Sequence, residues 1–81
     1  MNLYLLYQSV VRGYDTYDSC VVVAPDSIAA VSMHPYDGEP IQSKRGDDWP
    51  LRTIDITCKY LGEAHPIFDK PAILCASFNA G

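Results

Sequence analysis

Apolar positions in this chain fall into blocks, separated by stretches dense in Gly, Pro, Asp and Ser. Residues 2–11 are rich in Leu, Tyr and Val, have no helix cap ahead of them, and predict a first strand. Residues 19–25, SCVVVAP, are a β-branched run and give the clearest strand signal. Pro25, Asp26 and Ser27 then read as a helix start, because proline presets φ and Asp or Ser accepts from orphan N–H groups. The helix runs about two turns, with Ile28, Val31 and Ser32 expected toward the sheet at helical spacing, and Pro35 stops it. In residues 53–62, TIDITCKYLG, the alternation places Ile54, Ile56, Cys58 and Tyr60 on one face of a strand. Residues 72–81, AILCASFNAG, predict the last strand, with Phe78 packed inward.

Between these blocks lie three connections. Residues 13–19, GYDTYDS, form a loop between the first two strands. Residues 36–52, YDGEPIQSKRGDDWPLR, keep no helical or strand period and read as an irregular excursion. Residues 63–71 are a turn-rich link. The predicted order is β-β-α-β-β. It describes an α+β fold: a small two-layer sandwich of one antiparallel sheet with one short helix across it, forming a single domain over residues 1–81. The sheet's second face must then be solvated or meet another chain, which favours a homo-oligomer.

Composition narrows the function classes. The 81 residues are 48% hydrophobic, enough for a core but near the lower size at which a chain folds without disulfide, metal or partner. Ten acidic against six basic side chains leave a net charge of −4, which disfavours direct binding to nucleic acid. Cys20, Cys58 and Cys75 are odd in number and widely spaced. They form no metal-ligand pair and are expected as small buried hydrophobes in a reducing compartment. The opening MNLYLLYQSVV has neither the basic leader of a signal peptide nor an uninterrupted apolar span, so no membrane association is expected.

The chemistry concentrates in two loops. Tyr14 and Tyr17 offer flat faces and hydroxyls, while Asp15, Thr16, Asp18 and Ser19 surround them with donors and acceptors. Such a set suits the wall of a nucleobase-sized pocket; the same residues also suit Asx-turns with tyrosines capping the core edge. Two carboxylates three residues apart fall short of a calcium loop. In the excursion, Lys44 and Arg45 are the one adjacent basic pair and suit a phosphate, and Trp49 suits a ligand lid, an interface anchor or a core plug. His34 and His65 each precede a proline. No nucleophile or metal frame accompanies them, and a helix C-terminus accounts for His34.

The segments GYDTYDSCVVVAP, HP, LGEA and ILCASFNAG, in that order, resemble a group of small phage-encoded accessory proteins. The resemblance reaches both ends of the chain and is weakest in the excursion. It implies a protein made in the host cytoplasm of an infected bacterium, and carries over no functional residues. Proteins of that kind commonly act on host machinery or host defences. The expected function is therefore non-catalytic binding that counters a bacterial defence, with no cofactor. The partner expected first is a small signalling nucleotide, sequestered by Tyr14, Asp15, Thr16, Tyr17, Asp18, Ser19, Lys44, Arg45 and Trp49. The alternative partner is a host defence protein whose basic groove is covered by the acidic surface. A small hydrolase using His34 with Asp15 or Asp18, and a structural virion role, rank below both.

Overall fold

A computed structural model describes residues 1–80. Its sheet is built from strands β1 (Asn2–Tyr7), β2 (Thr16–Ala24), β3 (Thr57–Glu63) and β4 (Ala72–Asn79). One short helix, α1 (Ser27–Val31), and 3₁₀ turns at Ile41–Ser43 and Thr53–Asp55 lie between β2 and β3. All pairings are antiparallel, in the order β3-β1-β2-β4. The sheet dominates the fold and helix contributes little. The first two strands are therefore the centre of the sheet and the last two its edges, so each later connection crosses from one side to the other.

One face of the sheet carries the core. Tyr4 and Leu6 of β1 pair with Val22 and Cys20 of β2, and all four are buried beneath Ala30, Met33, Ile41, Trp49 and Ile56. Trp49 is the largest fully buried side chain; its indole fills volume, and its Nε1 has no hydrogen-bond partner among the described residues. Core aromatic burial of this kind is worth several kcal/mol, about 3–5 on truncation to alanine.

Local chemistry explains where the elements depart from expectation. β1 stops at Tyr7 because the Gln8 side chain takes over the backbone bonding. Its Oε1 accepts from the N–H groups of Val10 and Val11, both at 2.8 Å. Its Nε2 donates to the carbonyls of Val11 at 2.8 Å and Tyr17 at 2.7 Å. The loop between β1 and β2 is correspondingly displaced. Thr16, Tyr17, Asp18 and Ser19 belong to β2, and the reversal is made earlier, with Asp15 at φ 60° donating its N–H to the Asn79 carbonyl. Left-handed backbone is tolerated by aspartate better than by most residues.

Helix α1 begins as expected, with the Asp26 carboxylate accepting from the Ala29 N–H at 2.8 Å. Its buried residue is Ala30, however, and Ile28 is 80% exposed. A helix this short has no periodic stripe to present. Its rotation is set instead by the Asp26 cap and by the Met33–Pro40 bridge beyond it. Ile54 is also exposed, because Thr53–Asp55 turn as 3₁₀ and the strand begins only at Thr57. From there the expected face holds: Cys58 pairs with Leu6, and Tyr60 with Tyr4. A bulge at Leu61 follows, next to Gly62 at φ 148°, a backbone angle that suits glycine.

The cysteines differ from one another, against the expectation that all three are buried. Cys20 is buried, Cys58 intermediate and Cys75 exposed on edge strand β4. Burial pushes the Cys20 thiol up to about 12, with Cys75 adding to the effect, and burial raises Cys58 as well. Thiol labelling of the native protein at mildly alkaline pH is expected to modify Cys75 first, Cys58 more slowly, and Cys20 only on unfolding. Fast labelling of Cys20 would contradict this packing. Replacing Gln8 with alanine removes three bonds to the loop backbone and one to the Tyr17 carbonyl of β2, and is expected to lower stability by about 2 kcal/mol in denaturant unfolding.

Candidate functional site

Two adjoining hollows lie where the excursion meets the start of β2. The first, of about 320 Å³, is lined by His34, Tyr36, Ser43, Lys44, Arg45, Asp47 and Asp48. The second, of about 510 Å³, is lined by Tyr14, Asp15, Tyr17, Tyr36, Asp47, Asp48 and Phe78. Tyr36, Asp47 and Asp48 belong to both, so the hollows form one cleft with a cationic end and an aromatic end. Each volume falls within the roughly 300–1,000 Å³ of small-molecule sites.

Asp48 fixes the excursion to the sheet. Its carbonyl accepts the Tyr17 N–H at 3.0 Å, which anchors the first turn of β2. Its carboxylate Oδ1 lies 2.9 Å from His34 Nε2. His34 is 2% exposed, and its Nδ1 accepts from the Tyr36 N–H at 3.0 Å. A ring nitrogen that accepts carries no proton, so the imidazole hydrogen sits on Nε2 and points at Asp48. Both nitrogens are thereby occupied, and neither faces a nucleophile. The His34 backbone is held as well, by bonds with Glu39 and Gly38.

The aromatic end is built on this anchor. The Tyr17 ring lies 4.7 Å from Phe78, and meets the His34 ring edge-on at 5.8 Å. Desolvation raises the Tyr17 phenol above its usual value, and the Asp48, Tyr36 and Asp37 charges push the same way. Tyr14 and Tyr36 stand out from the surface, at 81% and 74% exposure. Phe78, expected inward, is on the core side of the sheet but 47% exposed, at the rim of the cleft.

At the cationic end Lys44 donates to Asp37 at 2.6 Å. This bond is the main reason the Asp37 carboxyl lies below its ordinary value and the Lys44 ammonium above. Arg45 makes no ion pair among the described residues. The turn that presents it requires Gly46. At φ 85° the backbone is left-handed, and a Cβ there would lie 2.8 Å from Leu51 Cγ.

Of the residues expected at a site, Tyr14, Asp15, Tyr17, Lys44 and Arg45 are brought together by folding. The others lie elsewhere. Thr16 is buried and bonds the Gly13 carbonyl at 2.8 Å, while Asp18 accepts from Asn79 Nδ2 at 2.9 Å. Ser19 sits opposite Tyr7 and Ser77 within the sheet. Trp49 lines neither hollow, so of its expected roles only the core plug matches its position, and Tyr36 stands at the cleft instead. Sequence reasoning did not single out Tyr36, Asp47, Asp48 or Phe78. The aspartate pair beside Trp49 was the available signal. Among the described residues, no three His, Cys, Asp or Glu side chains converge as a metal set would, and no helix is long and apolar enough to cross a membrane.

A depressed carboxyl contributes its stabilisation above the unfolded carboxylate range, and loses it as pH falls through the lower native value. In Lys44→Met the Asp37 side chain is therefore expected to titrate at higher pH than in the parent, as read by carboxyl NMR shifts. An unchanged midpoint would mean that the pair does not persist in solution. Comparison of the chain with models of protein families, with curated proteins and with solved structures finds no match.

Proposed function

We propose that the protein is a non-catalytic binding module that sequesters a small nucleotide in this cleft, and that it thereby counters a defence system of a bacterial host. The frame we infer for it is a two-layer α+β sandwich, with the sheet as one layer and α1 with the excursion as the other. The carrying observation is the two-ended cleft. Exposed Tyr14 and Tyr36, with Phe78 at the rim, give faces on which a base stacks. Ser43, Lys44 and Arg45 stand at the other end, where a phosphate would lie. Asp15, Asp47 and Asp48 offer acceptors to base amino and ribose hydroxyl groups.

The charge of the cleft refines the ligand class. Three carboxylates face two cations, and Lys44 is already paired with Asp37. A triphosphate would be repelled, so a ligand with one or two phosphates, such as a cyclic mononucleotide, suits the site best. Binding without turnover is supported by His34, whose two nitrogens are both engaged. The phage context and the host cytoplasm rest on the resemblance carried by GYDTYDSCVVVAP and ILCASFNAG. A second reading, inhibition of a host protein, draws on the same carboxylates. Asp15, Asp47 and Asp48 on one flank would face a basic groove.

Calorimetric titration with nucleosides, mononucleotides, cyclic nucleotides and triphosphates tests the proposal. Saturable binding is expected, weakest for triphosphates. Tyr14→Ala and Tyr36→Ala should each weaken it by roughly ten-fold or more, given ~1–3 kcal/mol per stacked base. Arg45→Ala should weaken nucleotides while sparing nucleosides. Absence of binding across the whole panel would end this reading in favour of a protein partner.

A further inference from the structure

The two edges of the sheet are treated differently. Both edges carry a bulge, at Leu61 in β3 and at Leu74 in β4, but β3 also carries Lys59 and Glu63, charges that discourage further strand pairing. β4, AILCASFN, has eight residues with no charge and no proline, and its one extra residue is Leu74. Its outer row of N–H and C=O groups is unpaired by any other strand. Leu74 is 40% exposed and Phe78 47%. An uncharged, apolar edge of this length is a template for another strand.

We infer that β4 pairs antiparallel with β4 of a second copy of this chain, joining two sheets into one of eight strands around a two-fold axis. An uncharged strand of the same length fits this edge, and β4 of a second copy is one; charge sets the direction of pairing. Lys70 lies just ahead of β4, flanked by Asp69. The far end of the strand lies beside Asp15, which donates its N–H to the Asn79 carbonyl, and Asp18, which accepts from the Asn79 side chain. Antiparallel pairing sets the acidic end of each copy, with Asp15 and Asp18, beside the neutral Asp69–Lys70 end of the other, and so keeps the two acidic ends apart. Parallel pairing would set like ends together. The axis must stand perpendicular to the sheet, so side chains keep their faces and the interface is self-complementary. Because Asp15 and Phe78 also line the cleft, the second copy brings Lys70, together with Asp69, near its aromatic end. The dimer itself does not depend on the cleft binding a nucleotide.

A strand-to-strand contact buries less than the roughly 1,600 Å² of a standard interface, so a reversible dimer is expected. Analytical ultracentrifugation of the full chain from low to high micromolar concentration reads it directly. The parent should pass from monomer to dimer. Cys75→Lys, at an exposed site near the axis, should raise the dissociation constant at least about ten-fold through like-charge repulsion while keeping the parent's circular dichroism. Lys70→Glu should weaken the dimer too, and more so at low salt. A parent that stays monomeric throughout overturns the inference, and so does a dimer that survives Cys75→Lys in a folded protein. If that variant fails to fold, amide hydrogen exchange on the parent decides. Protection of β4 amides that rises with concentration supports the pairing, and protection that does not change refutes it.

Discussion

The double attachment of Asp48 organises this molecule. One residue ties its carbonyl to the Tyr17 N–H at the start of β2 and its carboxylate to the buried imidazole of His34. His34 in turn holds Tyr36, Glu39 and Gly38. A seventeen-residue stretch without helical or strand period is thus hydrogen-bonded to the sheet at Asp48, while its Ile41 and Trp49 pack into the core. The bond between the Asp48 and His34 side chains is partly buried, and removing Asp48 leaves the buried His34 imidazole without its partner. The positions of Tyr17 and Tyr36 in the cleft follow from this anchorage.

That arrangement also divides the labour between rigid and adaptable parts. Tyr17, Asp48 and His34 are packed and bonded, whereas Tyr14, Tyr36 and Arg45 project from turns. A fixed floor with exposed aromatic flaps suits recognition of a flat ligand at small conformational cost, since tyrosine has few rotatable bonds.

Much of the fold was legible in the sequence. SCVVVAP, the Asp26 cap and AILCASFN announced their elements, because β-branched runs and capping chemistry act locally. The errors arose where a side chain outcompeted the backbone pattern or where a segment was too short to have one. Gln8 ended a strand that its neighbours would have continued, Thr53–Asp55 wound into a 3₁₀ turn despite perfect alternation, and α1 presented Ala30 instead of Ile28. Half of the candidate site was legible for a related reason. Tyr14, Asp15 and Tyr17 are close in sequence, as are Lys44 and Arg45. That the two groups adjoin depends on the Asp48 bonds, which link positions far apart in the chain and leave no periodic trace.

The strand order has a kinetic consequence. β1 and β2 are neighbours in sequence and form the centre of the sheet, so a hairpin is available as an early nucleus. β3 and β4 must each find this hairpin across a long loop; Asn2 and Glu63, which pair, are 61 residues apart, and Thr16 and Asn79 are 63. Closing such a loop costs entropy before any contact offsets it. Until β4 docks, the hairpin keeps an open flank of Cys20, Val21 and Val22. The slow, vulnerable steps of folding are therefore the arrivals of the two edge strands, and one of them, β4, leaves the finished sheet with its least protected edge.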